Sequence, residues 1–443
     1  MICNTSDFQL IADRRKGEWL EASASGELRT LRGAWQKAWF LIRDFATCGF
    51  LHRRTAQAIT AVSKRFFDDI CARCPSPLET SSPAIRQSRG AIERLAQAIR
   101  RLPPRLCDQK IARYILDLQE CPEVAEARLA LDRSVRPTLV SEGISGSYLL
   151  YNRQGRPWAV FKPEEQEPGM RANPKGFGDL KPFLDRIQIA PGTSFQRERA
   201  AYLLDRGHFS GVPLTTVAEM PRRFFIPQGS SPFARGSFQK FVPGCTHAWD
   251  HYQILPWPLS SADGHRIPVH EIHKIAILDI RTLNSDRHLK NFLVDSHFQV
   301  YPIDHGFTFP GNASNLRFNW MNFNQSKEPF SPEELRYIEE LDPDADIELL
   351  KREAPSLSAA SLLRCKAAAL LLKRCARRGL TAFQIGELMC GRRADFLSNL
   401  MNRFVPLPLD QPSYFETAIC SQLKPGMPIE PVLDRHIDRY LNL

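Results

Sequence analysis

Apolar residues recur at three- and four-residue intervals through Leu31–Cys74, "LRGAWQKAWFLIRDFATCGFLHRRTAQAITAVSKRFFDDICARC", a spacing that predicts helices. "PSPLETSSPAI" and "RRLPPRL" interrupt the pattern with turn-forming residues, so residues 1–135 read as a helix-rich region without repeats or a chemistry-bearing motif. Near residue 140 the period shortens. "GSYLLYNRQGRPWAVFKP" predicts two strands around a turn at Asn152 to Gly155, and "GSFQKFVPG" predicts another. Between them "SFQRERAAYLLDRG" predicts a helix opened by Ser194 and ended near Gly207. Helical periodicity returns in "HEIHKIAILDIRTL", followed by a hairpin pattern in "NFLVDSHFQVYPIDHGF". Three amphipathic stretches close the series: "SPEELRYIEEL", "SLSAASLLRCKAAALLLKRCARRGL" and "TAFQIGELMCGRRADFLSNLMNRF". Pro-rich "VPLPLDQPSYF" reads as linker or packing tail. Strands and one helix ahead of a mainly helical remainder predict an α+β fold class.

One segment breaks its own pattern. Ile277 to Val294, "ILDIRTLNSDRHLKNFLV", is apolar at both ends yet carries Asn284, Asp286, Arg287, His288 and Asn291 close together. Asp286 and Asn291 stand as D-x-x-x-x-N on what should be a loop after a helix. Thirteen residues beyond Asn291 comes Asp304-His305-Gly306. Phosphoryl transfer requires such a set: one carboxylate to orient or deprotonate the acceptor hydroxyl, an Asn and a second Asp for the metal. Upstream, Lys162 ends the apolar strand "WAVFKP", where it can pair with phosphates, and Glu198 on the following helix is its natural partner. Gly143-Ile144-Ser145-Gly146-Ser147 supplies small residues at a strand turn, so that backbone N–H groups can approach phosphate oxygens. Taken singly, Lys162 reads as a snorkelling surface lysine, Asp286 as a loop cap, Asn291 as a turn residue and Asp304-His305-Gly306 as a β-turn. Their order, each on a suitable element, favours a nucleotide site.

Composition adds bounds. The 443 residues are 43% hydrophobic and 24% charged, enough for two or three domains with full cores. Eleven scattered cysteines point to reduced thiols, and Cys71-Ala-Arg-Cys74 lacks the two further ligands of a structural zinc site. The net charge is +10, and residues 1–140 hold 23 Lys and Arg against 16 Asp and Glu. That excess is dilute, without Lys/Arg blocks or interleaved aromatics, so nucleic acid is not expected; a solvated face ranks ahead of anionic lipid. The same two readings apply to the basic stretch holding Arg364, Lys366, Lys373, Arg374, Arg377 and Arg378. His270-Glu271-Ile272-His273 spaces its histidines three apart rather than the four of a zincin helix, and no dinucleotide-binding glycine motif is present. The N-terminus lacks the apolar core of a signal peptide, and no run approaches the roughly 18 apolar residues of a membrane span. The expected location is cytoplasmic, with peripheral membrane contact.

Residues from about 140 to 405, about 60% of the chain, resemble the phosphatidylinositol 3/4-kinase superfamily, specifically type II phosphatidylinositol 4-kinases and most closely their plant gamma group. The matching stretches run in family order: "GISGSYLL", "WAVFKPEEQEP" with "NPKG", "RERAAYLLD", "GSFQKFV", "HKIAILDIRTLNSDRHLKNFLV", "VYPIDHGFTFP", "EPFSPEELRYIEELD" and "RGLTAFQIGELM". The resemblance implies a two-lobed, protein-kinase-like fold. Its expected division is a basic helical region (1–135), an N-lobe (136–242), a C-lobe (243–405) and a Pro-rich segment with a helix (406–443). It further implies ATP and Mg²⁺, or Mn²⁺, as cofactors. Catalytic roles fall on Asp286, Lys162 and Arg287, and metal binding on Asn291 and Asp304. ATP contacts fall on Gly143, Ser145, Gly146, Ser147, Lys162 and Glu198, with Gln239, Phe241 and Val242 in the linker that takes the adenine edge.

Three departures stand out. Animal type II enzymes carry a Cys-Cys-Pro-Cys-Cys palmitoylation stretch where residues 173–198 here hold no cysteine, which removes that anchor. Plant gamma members often carry ubiquitin-like domains ahead of the kinase, unlike residues 1–135. Lys290 replaces a small or acidic family residue and bears on acceptor choice. The implied reaction is transfer of the ATP γ-phosphate to the inositol 4-hydroxyl of phosphatidylinositol at an anionic membrane surface. A Ser/Thr protein kinase acting on protein substrates is the alternative, and a non-catalytic nucleotide-binding scaffold the third reading. An unfamiliar N-terminal region would suit a protein delivered into a host cell.

Overall fold

The computed structural model describes residues 121–226, 231–248, 267–314, 316–390, 413–424 and 427–442, with two short strands further upstream. Those strands, β1 (Trp19–Ala22) and β2 (Leu28–Leu31), pair antiparallel with Trp19 opposite Leu31. They add two strands to a region read as helix-rich: four-residue strands are too short for a periodicity window tuned to helices. The helix expected over 31–74 lies, beyond Leu31, outside the described residues, as do Cys71 and Cys74.

By its internal packing the chain forms two units, residues 1–137 with 150–158, and 138–149 with 159–443. In the first, α1 (Pro122–Asp132) is tied to a strand turn. The Glu126 carboxylate accepts from the Arg153 backbone N–H (2.9 Å) and guanidinium (3.0 Å), and Trp158 Nε1 donates to the Glu123 carbonyl (2.9 Å). The turn itself is the expected one: Asn152 Oδ1 accepts from the N–H groups of Gln154 and Arg156, and Gly155 takes φ +73°.

The sheet that positions the site has five strands, β3 (Thr138–Leu139), β4 (Tyr148–Tyr151), β5 (Pro157–Pro163), β6 (Thr215–Pro221) and β7 (Phe233–Lys240), in the order β3-β4-β5-β7-β6. β6 is absent from the sequence reading because "TTVAEMP" does not alternate cleanly between buried and open positions. After β5 come α2 (Lys181–Ile187) and α3 (Ser194–Leu204). Ala200 and Leu204 of α3 pack with Leu350, Ala354, Leu357 and Cys365, so helices far along the chain fix α3 in place.

The helical part is built on α4 (Val269–Thr282), whose Ile272, Ile275, Ala276, Ile277 and Ile280 are wholly buried. Around it lie α5 (Pro332–Glu340), α6 (Pro343–Glu353), α7 (Ala359–Arg377), α8 (Ala382–Cys390) and α9 (Glu430–Leu441). Ser331 and Glu334 form a reciprocal capping box at the start of α5, the helix that the amphipathic stretch predicted. A small sheet of β8 (Thr246–His247), β9 (Phe292–Val294) and β10 (Val300–Pro302), in the order β10-β9-β8, completes it. β9 and β10 are the expected hairpin. Among the described residues no helix is long and apolar enough to cross a membrane.

Candidate active site

Lys162 sits at the penultimate position of β5, opposite Ser237 of β7, which aims its long side chain off the sheet. Its ammonium donates to Glu198 Oε1 on α3 (2.5 Å) and to Asp304 Oδ1 (2.9 Å). Residues from three distant parts of the sequence therefore meet at one cation. Burial alone would push the Lys162 ammonium down, but Asp304 and Glu198 together hold it above its ordinary value. Burial works to raise the Asp304 carboxyl and loses to the Lys162 charge, which keeps it low. For Glu198 burial, helped by the Asp304 charge, outweighs the Lys162 charge, and its carboxyl is raised. Its second oxygen accepts from the His305 N–H (3.0 Å), so both oxygens are engaged with protein groups.

Asp304 adopts φ +58°, a left-handed conformation uncommon outside glycine. Its neighbours hold it there. Arg197 of α3, itself buried, donates to the carbonyls of Thr308 (2.7 Å) and Phe309 (2.6 Å). Glu167 accepts from the N–H groups of Ser194 (2.8 Å) and Phe195 (2.7 Å), capping α3, and burial pushes its carboxyl up to about 7.

The polar cluster 284–291 divides into two jobs. α4 ends at Leu283 in the left-handed conformation (φ +51°), and the chain turns across the site. Asn284 and Arg287 point inward to Asp279, a wholly buried carboxylate in the last turns of α4. Arg287 Nε donates to Asp279 Oδ2 (2.9 Å), its Nη1 to the carbonyls of Asn291 (2.7 Å) and Ile303 (2.8 Å), and its Nη2 to His305 Nδ1 (3.2 Å). Its side chain has no exposed surface. Every arm of Arg287 is thus engaged with the two loops, an arrangement that cross-links them. Burial pushes the His305 imidazole down to about 3, so it is neutral, with Nδ1 accepting from Arg287 and Nε2–H donating to the Pro302 carbonyl (3.2 Å).

Asp286 faces the other way. Its N–H donates to Asn284 Oδ1 (3.0 Å), its carbonyl accepts from Asn291 Nδ2 (2.9 Å), and His288 Nε2 lies 3.7 Å from its carboxylate. Burial, helped by the Asp304 charge, pushes its carboxyl up to about 7. Asp286 and Asp304 each keep 38% of their side-chain surface open, so solvent tempers the burial of both and a ligand can reach them. Asn291 Nδ2 is used on the Asp286 carbonyl, which turns its Oδ1 the opposite way.

The turn Gly143 to Ser147 joins β3 and β4. Gly143 takes φ +73°, and a side chain at Gly146 would lie 2.4 Å from Gln166 Oε1. Gly146 N–H donates to the Gln166 carbonyl (2.9 Å), so it is used for structure. Ser145 and Ser147 stay half-buried beside it. Sequence reasoning quoted "NPKG" without assigning it a task. Asn173 Nδ2 donates to the carbonyls of Ile144 (2.8 Å) and Gln166 (3.0 Å), and the Lys175 ammonium to those of Glu142 and Gly143 (3.2 Å). In the linker, Gln239 is still inside the sheet, opposite Val160 and Thr215, with its amide on Thr215 Oγ1 (3.0 Å). Phe241 and Val242 have left the strand and are half-buried.

His273 is wholly buried between Glu334 Oε2 (3.0 Å) and the Gln325 carbonyl (2.9 Å), a structural role. The six basic residues near α7 are all engaged. Arg364 meets Glu416, Lys366 meets Asp344, Lys373 caps the carbonyls of Glu339 and Leu341, and Arg377 meets Glu339. Arg374 and Arg378 share Asp434.

The profile of the Phosphatidylinositol 3- and 4-kinase family matches residues 146–385. Phosphatidylinositol 4-kinase gamma 5 of Arabidopsis thaliana is 36% identical over 281 residues, 59% of this chain and 43% of that protein. Gamma 8 of the same plant is 37% identical over 285 residues (60% and 51%), and gamma 4 of Oryza sativa subsp. japonica 36% over 279 (59% and 46%). The chain thus spans about half the length of the curated relatives it matches. A solved MAP kinase of Leishmania major overlaps 71% of the chain at 12% identity with a TM-score of 0.23, too small a likeness to carry the fold. The family match instead covers every residue of the cluster from Gly146 through Lys162, Glu198, Asp286 and Asn291 to Asp304, and on that footing the chain belongs to the phosphatidylinositol 3- and 4-kinase family.

Proposed function

We propose that this protein transfers the γ-phosphate of ATP to the inositol 4-hydroxyl of phosphatidylinositol, as a type II-like phosphatidylinositol 4-kinase of the gamma group. The observation that carries the reading is the Lys162 ammonium between Glu198 and Asp304, with the open Asp286 carboxylate facing the same cleft. The names of the plant relatives support the lipid as acceptor.

In this reading Lys162 holds the ATP phosphates and Glu198 fixes its ammonium. Asp286 orients the acceptor hydroxyl and takes its proton; a carboxyl raised toward neutrality by burial is a better base than an ordinary aspartate. Arg287 and Asp279 keep the loop rigid while charge moves, so little reorganisation is needed. Asn291 Oδ1 and Asp304 fit a divalent cation such as Mg²⁺. Among the described residues no cluster of three or more His, Cys, Asp or Glu could cage a metal, and an ion of this type takes one or two protein ligands plus phosphate oxygens. A cation held there neutralises charge on the transferring phosphoryl oxygens.

The test is label transfer from ATP with Mg²⁺ to phosphatidylinositol vesicles and a generic protein in one tube, wild type beside Asp286→Asn. Label in lipid, lost in the variant, is the expected outcome. Label in protein alone would replace the lipid acceptor by a Ser/Thr one, and label in neither would sink the transferase reading.

A further inference from the structure

The loop Gly143 to Ser147 is braced from one side by Asn173, whose Nδ2 takes the carbonyls of Ile144 and Gln166, and whose Oδ1 accepts from the N–H groups of Lys175 (2.9 Å) and Phe177 (3.2 Å). That geometry alone holds the turn. Lys175 then adds its ammonium to the loop's outer carbonyls, Glu142 and Gly143, without any carboxylate in hydrogen-bond contact. It is half-buried, and its carbonyl partners lie at the start of the Gly143 to Ser147 turn, which places its head against that turn. Two neutral carbonyls are modest acceptors for an ammonium; a phosphate oxygen makes a shorter, charge-assisted bond roughly twice as strong.

We propose that Lys175 is a second phosphate-holding cation of the site, its ammonium exchanging the Glu142 and Gly143 carbonyls for an oxygen of the bound polyphosphate. This rests on the nucleotide reading given above. It also explains the division of labour in the "NPKG" stretch: Asn173 shapes the loop, and Lys175 closes it over the phosphates. The loop then tightens only when a polyphosphate is present, because the cation that pulls on it has no such partner otherwise.

An acyl-phosphate derivative of ATP, which acylates amines beside its terminal phosphate, reports this directly when the labelled lysines are identified by mass spectrometry. Labelling of both Lys162 and Lys175, each suppressed by excess ATP, is expected. Labelling of Lys162 alone would overturn the proposal; labelling of neither, with no ATP binding by titration, would overturn the nucleotide reading itself. A second measurement separates a cation from a mere brace. In Lys175→Met the ratio of ATP to adenosine affinity falls about tenfold, and Lys175→Arg restores most of it. If both ligands weaken by the same factor in Lys175→Met, Lys175 only supports the loop and the inference is wrong.

Discussion

Along α7 and just past its end, six cations meet carboxylates or carbonyls of the fold, whereas in the cleft three charged groups, Lys162, Asp286 and Asp304, are brought together with part of their surface still open. As sequence, the first region is the more conspicuous, a block of Lys and Arg inviting an anionic surface. As structure, its charges are already partnered: Asp434 and Glu339 serve four of the six. The cleft carries fewer charges, but two of its carboxylates, Asp286 and Asp304, feel one another's charge and are each 38% open. Charge density therefore says little about ligand binding. What matters is whether the fold leaves the charge something to do.

The sharpest way to break the comparison is Asp286→Asn, for which turnover should fall about a thousandfold while ATP affinity changes less than about twofold. An intact rate would transfer the base role elsewhere. Next in size is Arg287→Ala, which leaves Asp279 buried and uncompensated and should lower stability by about 3–5 kcal/mol, read as a large drop in Tm. The double variant Asp279→Leu with Arg287→Met should recover part of it, and no recovery would mean that the pair is not the cause. Gly146→Ala puts a carbon 2.7 Å from Gln166 Cβ and should cost about 1–3 kcal/mol in denaturant melts.

pH separates the two cleft carboxylates. The folded carboxyl of Asp286 is raised to about 7, so folding favours its protonated form. That contribution to stability is full below the ordinary carboxylate range and is lost as pH rises through about 7. Asp304 is lowered, so its contribution runs the other way and is lost as pH falls through its depressed value. Turnover should fall on the acid side of about 7 as Asp286 protonates. Carboxyl carbon NMR on Asp304→Asn should move the Asp286 midpoint downward, because one of the charges raising it is gone; a fixed midpoint would assign the shift to burial alone. The smallest effect is expected on α7: Arg377→Ala, whose pair with Glu339 is more than half exposed on both sides, should cost under about 1 kcal/mol and leave sedimentation with anionic vesicles unchanged.

The elements were legible where local chemistry was unambiguous. The Asn152–Gly155 turn, the α5 capping box and the apolar stripe of α4 each carry a signal within a few residues. β6 and α6 were not read: the first alternates poorly, and the second carries a start signal in Asp342 and Pro343 but is short, with its burial set by α3 and α7. Within the site, the residue types and order of Lys162, Glu198, Asp286, Asn291 and Asp304 could be read directly. Asp279 could have been suspected, as a lone carboxylate in "IAILDI". His305 and Arg197 could not, because their roles depend on loops more than 15 residues away.

By itself the sequence determined which chemical groups are present and on which kind of element, since periodicity, caps and glycines act over a few residues. Only the tertiary structure decided how those groups divide. Asp286 and Arg287 are adjacent in the chain, yet one opens to the cleft and the other disappears beneath it, because the left-handed Leu283 and the buried Asp279 set the direction of the loop. Likewise Lys175 and the α7 lysines are the same residue type. Their different prospects follow from what each meets in space, the carbonyls at the start of the Gly143 turn or partners in the helical part.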